Sequence, residues 1–356
     1  MYIIYDDFYL KHDSGPSHPE NSDRLRFIIN AIRNSNFSKE LSFEFPFEAS
    51  LEQINLIHEK NYIERVRSLS GEGGYHYLDI DTVVSENTFK CALLAAGGCF
   101  KGIDLILNDV SASSFFAIIR PPGHHAFRSF GSGFCIFNNI ALAARYAQTN
   151  YNINKVAIID FDLHHGNGTQ DFFYSSNKVF YISFHQYPYY PGTGYYNEIG
   201  RDAGEGYNLN FPFPAGSDEA DYLFALTDII LPVLKRFKPE LILVSAGYDG
   251  HFEDPFSSIN LKDESFYKIM NLILLIGRIN DCNKIGIILE GGYNHEATAR
   301  GVLKTISACI SKSNSGDIKN IERLEEVVNQ NNAEYYSKLK QKNRINFSNI
   351  KKLFKI

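Results

Sequence analysis

The stretch IIDFDLHHGNG, at residues 158–168, gives the clearest indication of the fold. It follows the apolar residues Val156 and Ala157 and carries two aspartates, two histidines and two glycines. In an extended segment, residues two apart point to the same face, so Asp160, Asp162 and His164 form one polar row. Ionised carboxylates that leave water must be paired, hydrogen-bonded or bound to a cation. The stretch is therefore typical of a buried strand that ends in a polar site.

Short apolar runs of the same kind recur along the chain: MYIIYD, SSFFAIIR, KVFYISFH, ELILVSAG and KIGIILEGG. Most of them lack polar alternation, which indicates parallel strands that are covered on both faces. Helix-length amphipathic segments separate them, at about residues 85–107, 138–149, 218–237, 262–279 and 296–311. This alternation predicts an α/β protein with a mainly parallel central sheet.

Composition narrows the class of protein. The chain has 356 residues, 44% of them hydrophobic, and a formal net charge of -6, which argues against a protein that wraps nucleic acid. Its five cysteines are widely spaced and form no CxxC pair, so the sequence indicates neither a disulfide framework nor a cysteine zinc site. The first residues do not resemble a secretory signal, and no apolar run approaches the roughly 20 residues that span a bilayer. We therefore expect a cytoplasmic protein without a membrane or nucleic-acid partner.

The domain organisation is predicted from the change in composition near the C-terminus. Residues 1–312 contain all the strand and helix runs, and we interpret them as one catalytic domain. Residues 313–356 are polar, and from Lys338 onward they are basic without an acid. We expect this appendage to be helical and to lie on the domain or remain partly flexible, with a solvated charged face.

Four polar clusters follow predicted strands, at the ends where open parallel sheets bind ligands. They are RPPGHHAFRSFGSGF, DFDLHHGNG, SAGYDGHFEDP and EGGYNHE. Asp162 and His164 of the second cluster and Asp249 of the third make a three-ligand set that leaves a coordination position open, as catalytic metal sites do. Hydrogen-bonded strand ends with helix caps are the alternative. The added imidazole and the second strand end favour the metal.

Two further features indicate proton transfer and carbonyl binding. His124 and His125 follow Pro121-Pro122-Gly123, a rigid frame that places a tandem pair of imidazoles near the metal, where general acid–base catalysis would use them. Tyr293 follows two glycines that allow close approach of the backbone, so its hydroxyl could reach a developing oxyanion. Gly-Gly-Tyr is equally compatible with a simple turn.

Together these residues resemble the zinc-dependent histone deacetylase superfamily, which includes the acetylpolyamine amidohydrolases and the acetoin-utilisation deacetylases. Seven ordered motifs carry the resemblance: HPENSDRL (18–25), RPPGHHA (120–126), GFCIFNN (133–139), DFDLHHGNGTQ (160–170), PGTG (191–194), SAGYDGHFEDP (245–255) and EGGY (290–293). The resemblance implies an arginase/deacetylase-like three-layer α/β/α fold. It also implies a zinc-dependent amidohydrolase that removes acetyl or other short acyl groups from acetyl-lysine side chains or similar acylated amines and releases acetate.

The resemblance assigns the chemistry to particular positions: zinc ligands Asp162, His164 and Asp249; proton-transfer residues His124 and His125; their partners Asp160 and Asn167; and the carbonyl-binding Tyr293. In the class I branch the partner of the second histidine is an aspartate, so the sequence looks more like the class II and bacterial branches. A neutral partner stabilises an imidazolium less, which favours His125 as the residue that exchanges its proton during turnover.

The resemblance also implies a substrate tunnel, an acetate-release path and two structural potassium sites. The tunnel positions are Gly133, Phe134, Tyr190 and Phe256, and Arg24 lies at the inner end of the release path. The first potassium site uses Asp160, Ser183 and Phe184 together with backbone carbonyls of Asp162 and His164. The second uses backbone carbonyls of Phe173, Ser176, Val179 and Tyr207.

Several alternatives stay open at this point. Two carboxylates and one imidazole also suit iron(II) or manganese, so zinc rests mainly on the resemblance. The function could instead be that of an acetylpolyamine amidohydrolase, a non-catalytic acyl-lysine-binding module or a manganese ureohydrolase on the same fold. Phe256 occupies the position where one polyamine-preferring branch carries an acid, so the sequence favours an acetyl-lysine peptide or small acylated amine as substrate. It leaves the oligomeric state open.

Overall fold

A computed structural model describes residues 1–109, 111–311, 332–339 and 341–356. Within them, eight parallel strands form one sheet in the order β2-β1-β5-β10-β9-β6-β7-β8. The strands are β1 (Tyr2–Ile4), β2 (Ser42–Glu44), β5 (Ser114–Ala117), β6 (Val156–Asp160), β7 (Val179–Gln186), β8 (Asn208–Phe213), β9 (Leu241–Ala246) and β10 (Ile285–Leu289). A separate antiparallel hairpin pairs β3 (His76–Tyr77) with β4 (Val83–Val84).

Helices flank this sheet, and the resulting arrangement confirms the predicted arginase/deacetylase-like α/β fold. The helices are α1 (Asp23–Arg33), α2 (Leu51–Ile54), α3 (Lys60–Glu72), α4 (Thr88–Asn108), α5 (Asn139–Tyr151), α6 (Asn167–Phe173), α7 (Glu219–Ala225), α8 (Leu231–Phe237), α9 (Asp263–Ile279), α10 (His295–Ile310), α11 (Asn332–Lys338) and α12 (Gln341–Phe354). A π-helical turn, Leu226–Ile230, joins α7 to α8. The predicted helical segments correspond to α4, α5, the α7–α8 pair, α9 and α10. The six predicted apolar runs become β1, β5, β6, β7, β9 and β10.

Helix α4 corrects one expectation from the sequence. The sequence suggested no segment apolar and long enough to cross a bilayer, but α4 passes that test on length and composition. Its most apolar window is 72% buried inside the fold, and the helix packs against α5 and β5. A core helix of a soluble protein meets the same criteria, so the length of α4 reflects the depth of the core it covers.

Part of the predicted appendage is visible as α12. Phe347 and Ile350 of this helix are buried, and the Phe347 ring packs against Phe211 and Phe213 of β8. The Asn346 side chain donates a hydrogen bond of 3.0 Å to the carbonyl of Pro212. The helix therefore covers one face of the edge strand β8. Residues 313–331 of the appendage lie outside the described residues, and the division of the chain at residue 312 stays a prediction.

The strand order explains how the polar clusters meet. The four clusters of the sequence follow β5, β6, β9 and β10, which are adjacent in the order β5-β10-β9-β6. Asp160 is the last residue of β6 and lies in register with Ser183 of β7 and Ser245 of β9. Because parallel strands all end at the same edge of the sheet, the four polar loops leave the core side by side.

Candidate active site

The three predicted metal ligands lie together at the carboxyl edge of the sheet. His164 Nδ1 is 3.2 Å from Asp162 Oδ1 and 3.0 Å from Asp249 Oδ2. The possible ligand atoms of the three residues all lie within 4.8 Å of one another. Both carboxylates are fully buried, and His164 is half-buried. Two oxygens and one nitrogen therefore converge on one point from two different strand ends.

This donor set fits a divalent cation. The remaining lone pairs of the carboxylates accept backbone N–H groups: Asp249 Oδ1 from Leu163 at 2.9 Å, and Asp162 Oδ2 from Gly291 at 2.9 Å. Such outer hydrogen bonds orient ligands toward a metal. Burial lowers the pKa of His164, but the hydrogen bonds and charges of Asp162 and Asp249 outweigh that effect and raise it to about 9. The cluster thus attracts positive charge, and carboxylate and imidazole ligands suit zinc or iron(II).

Two glycines of the motifs are required by this close packing. A Cβ atom at Gly247 would lie 2.0 Å from Asp162 Oδ2. A Cβ atom at Gly291 would lie 2.5 Å from Asp249 Oδ2 and 2.6 Å from Asp162 Oδ2. Any side chain at either position would push a carboxylate out of place. The glycines of SAGYDG and EGGY therefore make room for the candidate metal ligands.

The tandem histidines form a pair of facing imidazoles beside these ligands. Their ring centroids are 4.0 Å apart. His124 Nδ1 lies 3.1 Å from Asp160 Oδ2, which also accepts a hydrogen bond from the Tyr181 hydroxyl. His125 Nδ1 lies 2.8 Å from Asn167 Oδ1, so the amide oxygen accepts a hydrogen bond from the Nδ1–H group. Each imidazole is thus held through Nδ1 by the partner that the sequence assigned to it.

The two imidazoles are tuned in opposite directions. Burial lowers the pKa of His124, but the charges of Asp162, Asp160 and Glu290 outweigh burial and raise it to about 10. Burial, the neighbouring His124 and His164 hold the pKa of His125 well below its usual value. A cation at Asp162 would neutralise one of the charges that act on His124. The arrangement favours a charged His124 and a neutral His125, which is free to accept a proton.

A cavity of about 220 Å³ leads to these groups. Its lining contains all four predicted tunnel residues together with five others: Asp81, His125, Gly133, Phe134, His164, Tyr189, Tyr190, Phe256 and Tyr293. Phe134 and Phe256 stand nearly perpendicular to the Tyr293 ring, with centroid distances of 5.8 and 5.1 Å. The cavity is therefore a channel with aromatic walls that ends at His125, the candidate ligand His164 and the Tyr293 side chain.

The wall at Gly133 and Phe134 depends on an unusual backbone. Both residues have positive φ angles, 52° and 69°. A Cβ atom at Gly133 would lie 2.5 Å from His125 Cδ2, so only glycine fits there. Phe134 is a non-glycine residue in the left-handed region, a strained conformation that its surroundings must hold. Its N–H donates to Thr82 Oγ1 at 3.0 Å, which ties the wall to the hairpin loop.

Two lining residues were not predicted from the sequence. Tyr189 stacks on His164 at a centroid distance of 5.5 Å, and among the described residues Asp81 contributes the only carboxylate to the cavity lining. Asp81 is half-buried, and burial and the nearby Asp79 raise its pKa to about 6. Its Oδ1 atom has no hydrogen-bond partner within the described part of the chain. Asp81 belongs to a short loop without a motif, and only the pair of aspartates in LDIDT could have signalled it.

Arg24 is fully buried beside the site. The Arg24 guanidinium donates to the carbonyls of Gly292 at 2.6 Å and Glu290 at 2.5 Å and to the Glu20 carboxylate at 2.9 Å. It therefore braces the loop of Tyr293 from below. Its role in acetate release stays a prediction.

The two groups of potassium residues lie at opposite ends of β7. Ser183 and Phe184 lie in the second half of that strand, where Ser183 pairs in register with Asp160. Val179 begins the strand, and the Ser176 N–H donates to the Phe173 carbonyl at 2.9 Å just before it. The Tyr181 N–H donates to the Tyr207 carbonyl at 3.1 Å. Both potassium assignments stay predictions.

A parallel α/β sheet that brings buried carboxylate, imidazole and tyrosine side chains together at its carboxyl edge is an arrangement suited to a hydrolytic enzyme. The profile described as the histone deacetylase domain matches residues 18–309, so the chain belongs to the histone deacetylase family.

Individual relatives agree with this assignment. The chain is 38% identical to a probable deacetylase of Archaeoglobus fulgidus over 296 residues, which cover 83% of this chain and 81% of the relative. It is 38% identical to histone deacetylase 10, chloroplastic, of Oryza sativa subsp. japonica over 83% of this chain and 70% of the relative. It is 33% identical to the polyamine deacetylase HDAC10 of Danio rerio over 82% of this chain and 44% of the relative. The crystal structure of the HDA15 HD domain superposes with a TM-score of 0.82 at 30% identity, covering 98% of this chain and all of that one.

These similarities confirm the predicted family and activity class. The protein is a hydrolytic deacetylase that acts on acetylated amines. The relatives support this catalytic interpretation rather than a non-catalytic binding module or a ureohydrolase. An acetylpolyamine amidohydrolase remains compatible with the relatives, without being favoured by them.

Proposed function

We propose that the protein is a zinc-dependent deacetylase that acts mainly on acetyl-lysine side chains of peptides or proteins. The observation that carries the proposal is the convergence of Asp162, His164 and Asp249 beside His125 and Tyr293 at the end of the aromatic channel. A divalent cation held by the first three residues would supply a Lewis acid that polarises the acetyl carbonyl and acidifies water. Iron(II) fits the same ligands and is the alternative metal.

His125 acts as the general base and then as the general acid. Its Nδ1 proton is engaged by Asn167, which leaves the other ring nitrogen as an acceptor. That nitrogen takes a proton from the attacking water and returns it to the amine nitrogen as the C–N bond breaks, so the products are acetate and a free amine. His124, held by Asp160, stabilises the negative charge of the adduct from the neighbouring position.

Tyr293 supplies a hydrogen bond to the developing oxyanion. Its side chain lies in the cavity lining, and burial raises the pKa of its hydroxyl well above the usual value. The group therefore remains a protonated donor throughout the reaction. A donor that strengthens its bond as charge develops lowers the barrier more than it strengthens substrate binding.

The aromatic channel supports acetyl-lysine as the preferred substrate. Phe134, Tyr190 and Phe256 offer apolar walls to the four-carbon stem of a lysine side chain. A polyamine carries a further ammonium group, and Asp81 is the carboxylate at the cavity that could bind it. Acetylpolyamine hydrolysis is therefore the second candidate function. The proposal also includes the two potassium sites, a cytoplasmic location and a single catalytic domain over residues 1–312.

The proposal is tested with the full chain and a panel of substrates. An acetyl-lysine peptide, free Nε-acetyl-lysine, acetylputrescine and acetylspermidine are incubated with the enzyme, and the products are measured by mass spectrometry. We expect release of acetate that stops after chelation and returns on addition of Zn²⁺. Acetate release that persists in the metal-free protein, verified by elemental analysis, would contradict the metal-dependent mechanism. Restoration by iron(II) alone under anaerobic conditions would replace zinc by iron.

A further inference from the structure

Asp254 is a buried carboxylate that joins two loops of the active site. It lies in the loop after β9, and its two oxygens point to different partners. Oδ2 accepts the N–H of Tyr293 at 2.6 Å and the N–H of Asn294 at 3.1 Å. Oδ1 accepts the N–H of Phe256 at 3.1 Å. One side chain therefore fixes the backbone of Tyr293 and the backbone of a channel wall.

The two residues that Asp254 holds also touch each other inside the cavity. The rings of Phe256 and Tyr293 are perpendicular, with a centroid distance of 5.1 Å. An edge-to-face contact of this kind depends on the distance and angle between the rings. A shift of either backbone would change the channel wall and the position of the Tyr293 hydroxyl together. Asp254 thus holds the backbone of both residues that form this aromatic contact.

The Tyr293 loop needs such an external support. Tyr293 follows Gly291 and Gly292, and Gly292 has a φ angle of 124°, which few other residues adopt. Directly after Tyr293, the Asn294 side chain caps α10 by accepting the N–H of Ala297 at 3.1 Å. Asn294 also donates its side-chain amide to the Glu253 carbonyl at 3.1 Å. Arg24 holds the carbonyl of Gly292 from below, while Asp254 holds the N–H of Tyr293 itself, so Asp254 fixes the Tyr293 backbone directly.

A carboxylate in this position is unfavourable unless it serves several donors. Its hydrogen bonds come from backbone N–H groups rather than from a lysine or arginine, and burial together with the charge of Asp249 raises its pKa to about 7. An asparagine side chain of the same size has only one acceptor oxygen, on its amide, and could hold only one of the two loops at a time. The two oxygens of the aspartate carboxylate allow it to hold both loops.

We propose that Asp254 is a positioning residue that aligns the Tyr293 hydroxyl with the Phe256 wall. This inference rests on the proposed role of Tyr293 as the oxyanion donor. Asp254 itself touches neither substrate nor the reacting atoms. It acts through Tyr293 on the rate of the chemical step and through Phe256 on substrate binding.

A double-mutant cycle measures whether Asp254 acts through Tyr293. Asp254→Ala is made in the natural sequence and in a Tyr293→Phe background, and kcat is measured for each protein. Because a displacement near 1 Å can lower a rate by about 10²-fold, we expect Asp254→Ala to lower kcat by about 10- to 100-fold in the natural sequence. In the Tyr293→Phe background the further loss should be less than about threefold, since the hydroxyl that Asp254 positions is already absent.

A second cycle uses Phe256→Ala and the KM for an acetyl-lysine peptide. Asp254→Ala should raise KM by about three- to tenfold in the natural sequence and by less than about twofold once the Phe256 ring is removed. A merely structural loss of fold would lower activity by the same factor in every background. Equal factors in both cycles would overturn the proposal.

Asp254→Asn keeps the test decisive if the alanine variant does not fold. Its single amide oxygen can stay with the two donors of Tyr293 and Asn294, so we expect kcat within about threefold of the natural value and a raised KM. If Asp254→Asn lowers kcat by the same large factor with and without Tyr293→Phe, the proposal is overturned as well.

The controls separate this inference from the proposed function. Asp218→Ala is the matched control, because Asp218 caps α7 through the N–H of Ala220 outside the cavity. It should lower the melting temperature and leave kcat unchanged. If Tyr293→Phe alone leaves kcat unchanged, the role of Tyr293 fails, and this inference fails with it. If Tyr293→Phe lowers kcat, and Asp254→Ala lowers kcat by the same factor with or without that change, the role of Tyr293 stands and only the inference fails.

Discussion

The floor and the mouth of the cavity are built differently. On the floor, Asp162 and Asp249 are fully buried, and each of their oxygens has a hydrogen-bond partner. At the mouth, Tyr190 is 42% exposed and Asp81 is half-buried, and Ile80, next to Asp81 in the hairpin loop, is 91% exposed. The floor therefore fixes the reaction, while the mouth leaves the choice of substrate to a few exposed side chains.

The origin of the two regions explains this difference. The floor residues follow β5, β6, β9 and β10, which are adjacent strands of one rigid sheet. The mouth residues come from loops, such as the hairpin loop of Asp81 and the segment that holds Tyr189 and Tyr190. Residues on a sheet edge are held by many backbone hydrogen bonds, whereas loop residues are held by few. Changes on the floor should therefore have larger effects on catalysis than changes at the mouth.

The largest effect is expected when a ligand is removed from the floor. Asp249→Ala removes one of the two carboxylates that converge on His164, so the site should lose its divalent metal. We expect kcat/KM to fall by more than about 10³-fold, because loss of the metal removes the Lewis acid entirely. Elemental analysis of the purified variant measures the metal directly. A full equivalent of bound metal would show that Asp249 is not a ligand.

Asp263→Asn is the control for this experiment. Asp263 is bonded to Arg300 and His251 in a loop network that does not line the cavity. The variant removes a carboxylate charge without touching the floor, and it should keep both metal and activity. Loss of metal from both variants would mean that the measurement reports general destabilisation.

A smaller effect is expected from Tyr293→Phe. This change removes one hydroxyl donor and keeps the ring that packs on Phe134 and Phe256. By analogy with removal of one oxyanion donor, kcat should fall by about 10²- to 10³-fold while metal content stays at the natural level. Tyr75→Phe removes a hydroxyl that is bonded to Asp13 outside the cavity lining, and it should leave kcat unchanged. A natural kcat in Tyr293→Phe would exclude the hydroxyl from the mechanism.

Sequence patterns predicted the floor better than the mouth for the same structural reason. Asp160 ends β6 and Asp162 and His164 follow it at alternate positions, so their spacing predicted that they lie together. His124, His125 and Tyr293 lie directly after strands, and the rule that parallel strands end at one edge brought them together. Asp81 lies in the hairpin loop outside the main sheet, and Tyr189 lies in the loop that follows β7, so their approach to the cavity depends on how two loops fold back over it. No local spacing encodes that approach.

The edge strands of the sheet show the same limit. β2 has only three residues, and Phe43 within it is 40% exposed, so it lacks the continuous apolar run of a buried strand. β8 contains Asn208, Asn210 and Pro212, which interrupt the apolar pattern. Its apolar residues are covered by α12 from the end of the chain. A contact across more than 130 residues cannot be read from a local pattern.

Lowering the pH should reduce the free energy of unfolding, because the buried ring of His58 must stay neutral in the folded protein. His58 is buried, its Nε2 accepts the N–H of Asn138 at 2.9 Å, and its Nδ1 lies 2.9 Å from the Phe127 carbonyl. Burial lowers the pKa of His58 to about 3, so the folded protein requires the neutral ring. In the unfolded chain the ring binds a proton below its ordinary pKa of about 6.5. The contribution of His58 to stability is therefore complete above about pH 6.5 and is lost as the pH falls toward 3, by about 1.4 kcal/mol per pH unit.

This pH dependence is measured by urea unfolding at pH 7.5 and 5.5. His12 is also buried with a pKa lowered to about 3, so the natural protein combines both contributions. His58→Gln, which does not titrate, isolates one of them and should lose about 1 kcal/mol less stability than the natural protein between the two pH values. An identical loss in both proteins would show that His58 is not held neutral.

The smallest effect is expected at the mouth, where Asp81 distinguishes two kinds of substrate. Asp81 lines the cavity, and burial and Asp79 raise its pKa to about 6, so its carboxylate would gain from a hydrogen-bond donor on the substrate. A backbone N–H of an acetyl-lysine peptide or the distal ammonium of an acetylpolyamine could supply one. If the peptide N–H supplies the donor, Asp81→Asn should lower kcat/KM for the peptide by about three- to tenfold, because one hydrogen bond to a charged acceptor is weakened. The same variant should leave a small N-acetylated monoamine, which reaches no further than the floor, unchanged.

The natural protein should then cleave an acetyl-lysine peptide with a kcat/KM at least equal to that for acetylputrescine or acetylspermidine. The aromatic walls bind the uncharged stem of either substrate, and Phe256 adds at most a cation–π contact of about 0.5 to 1 kcal/mol with a distal ammonium. One half-buried carboxylate that also serves a peptide N–H cannot create a large preference for a second positive charge. A preference of a hundredfold or more for an acetylpolyamine, about 2.7 kcal/mol, that disappears in Asp81→Asn would reverse the assignment and make Asp81 the residue that selects polyamines.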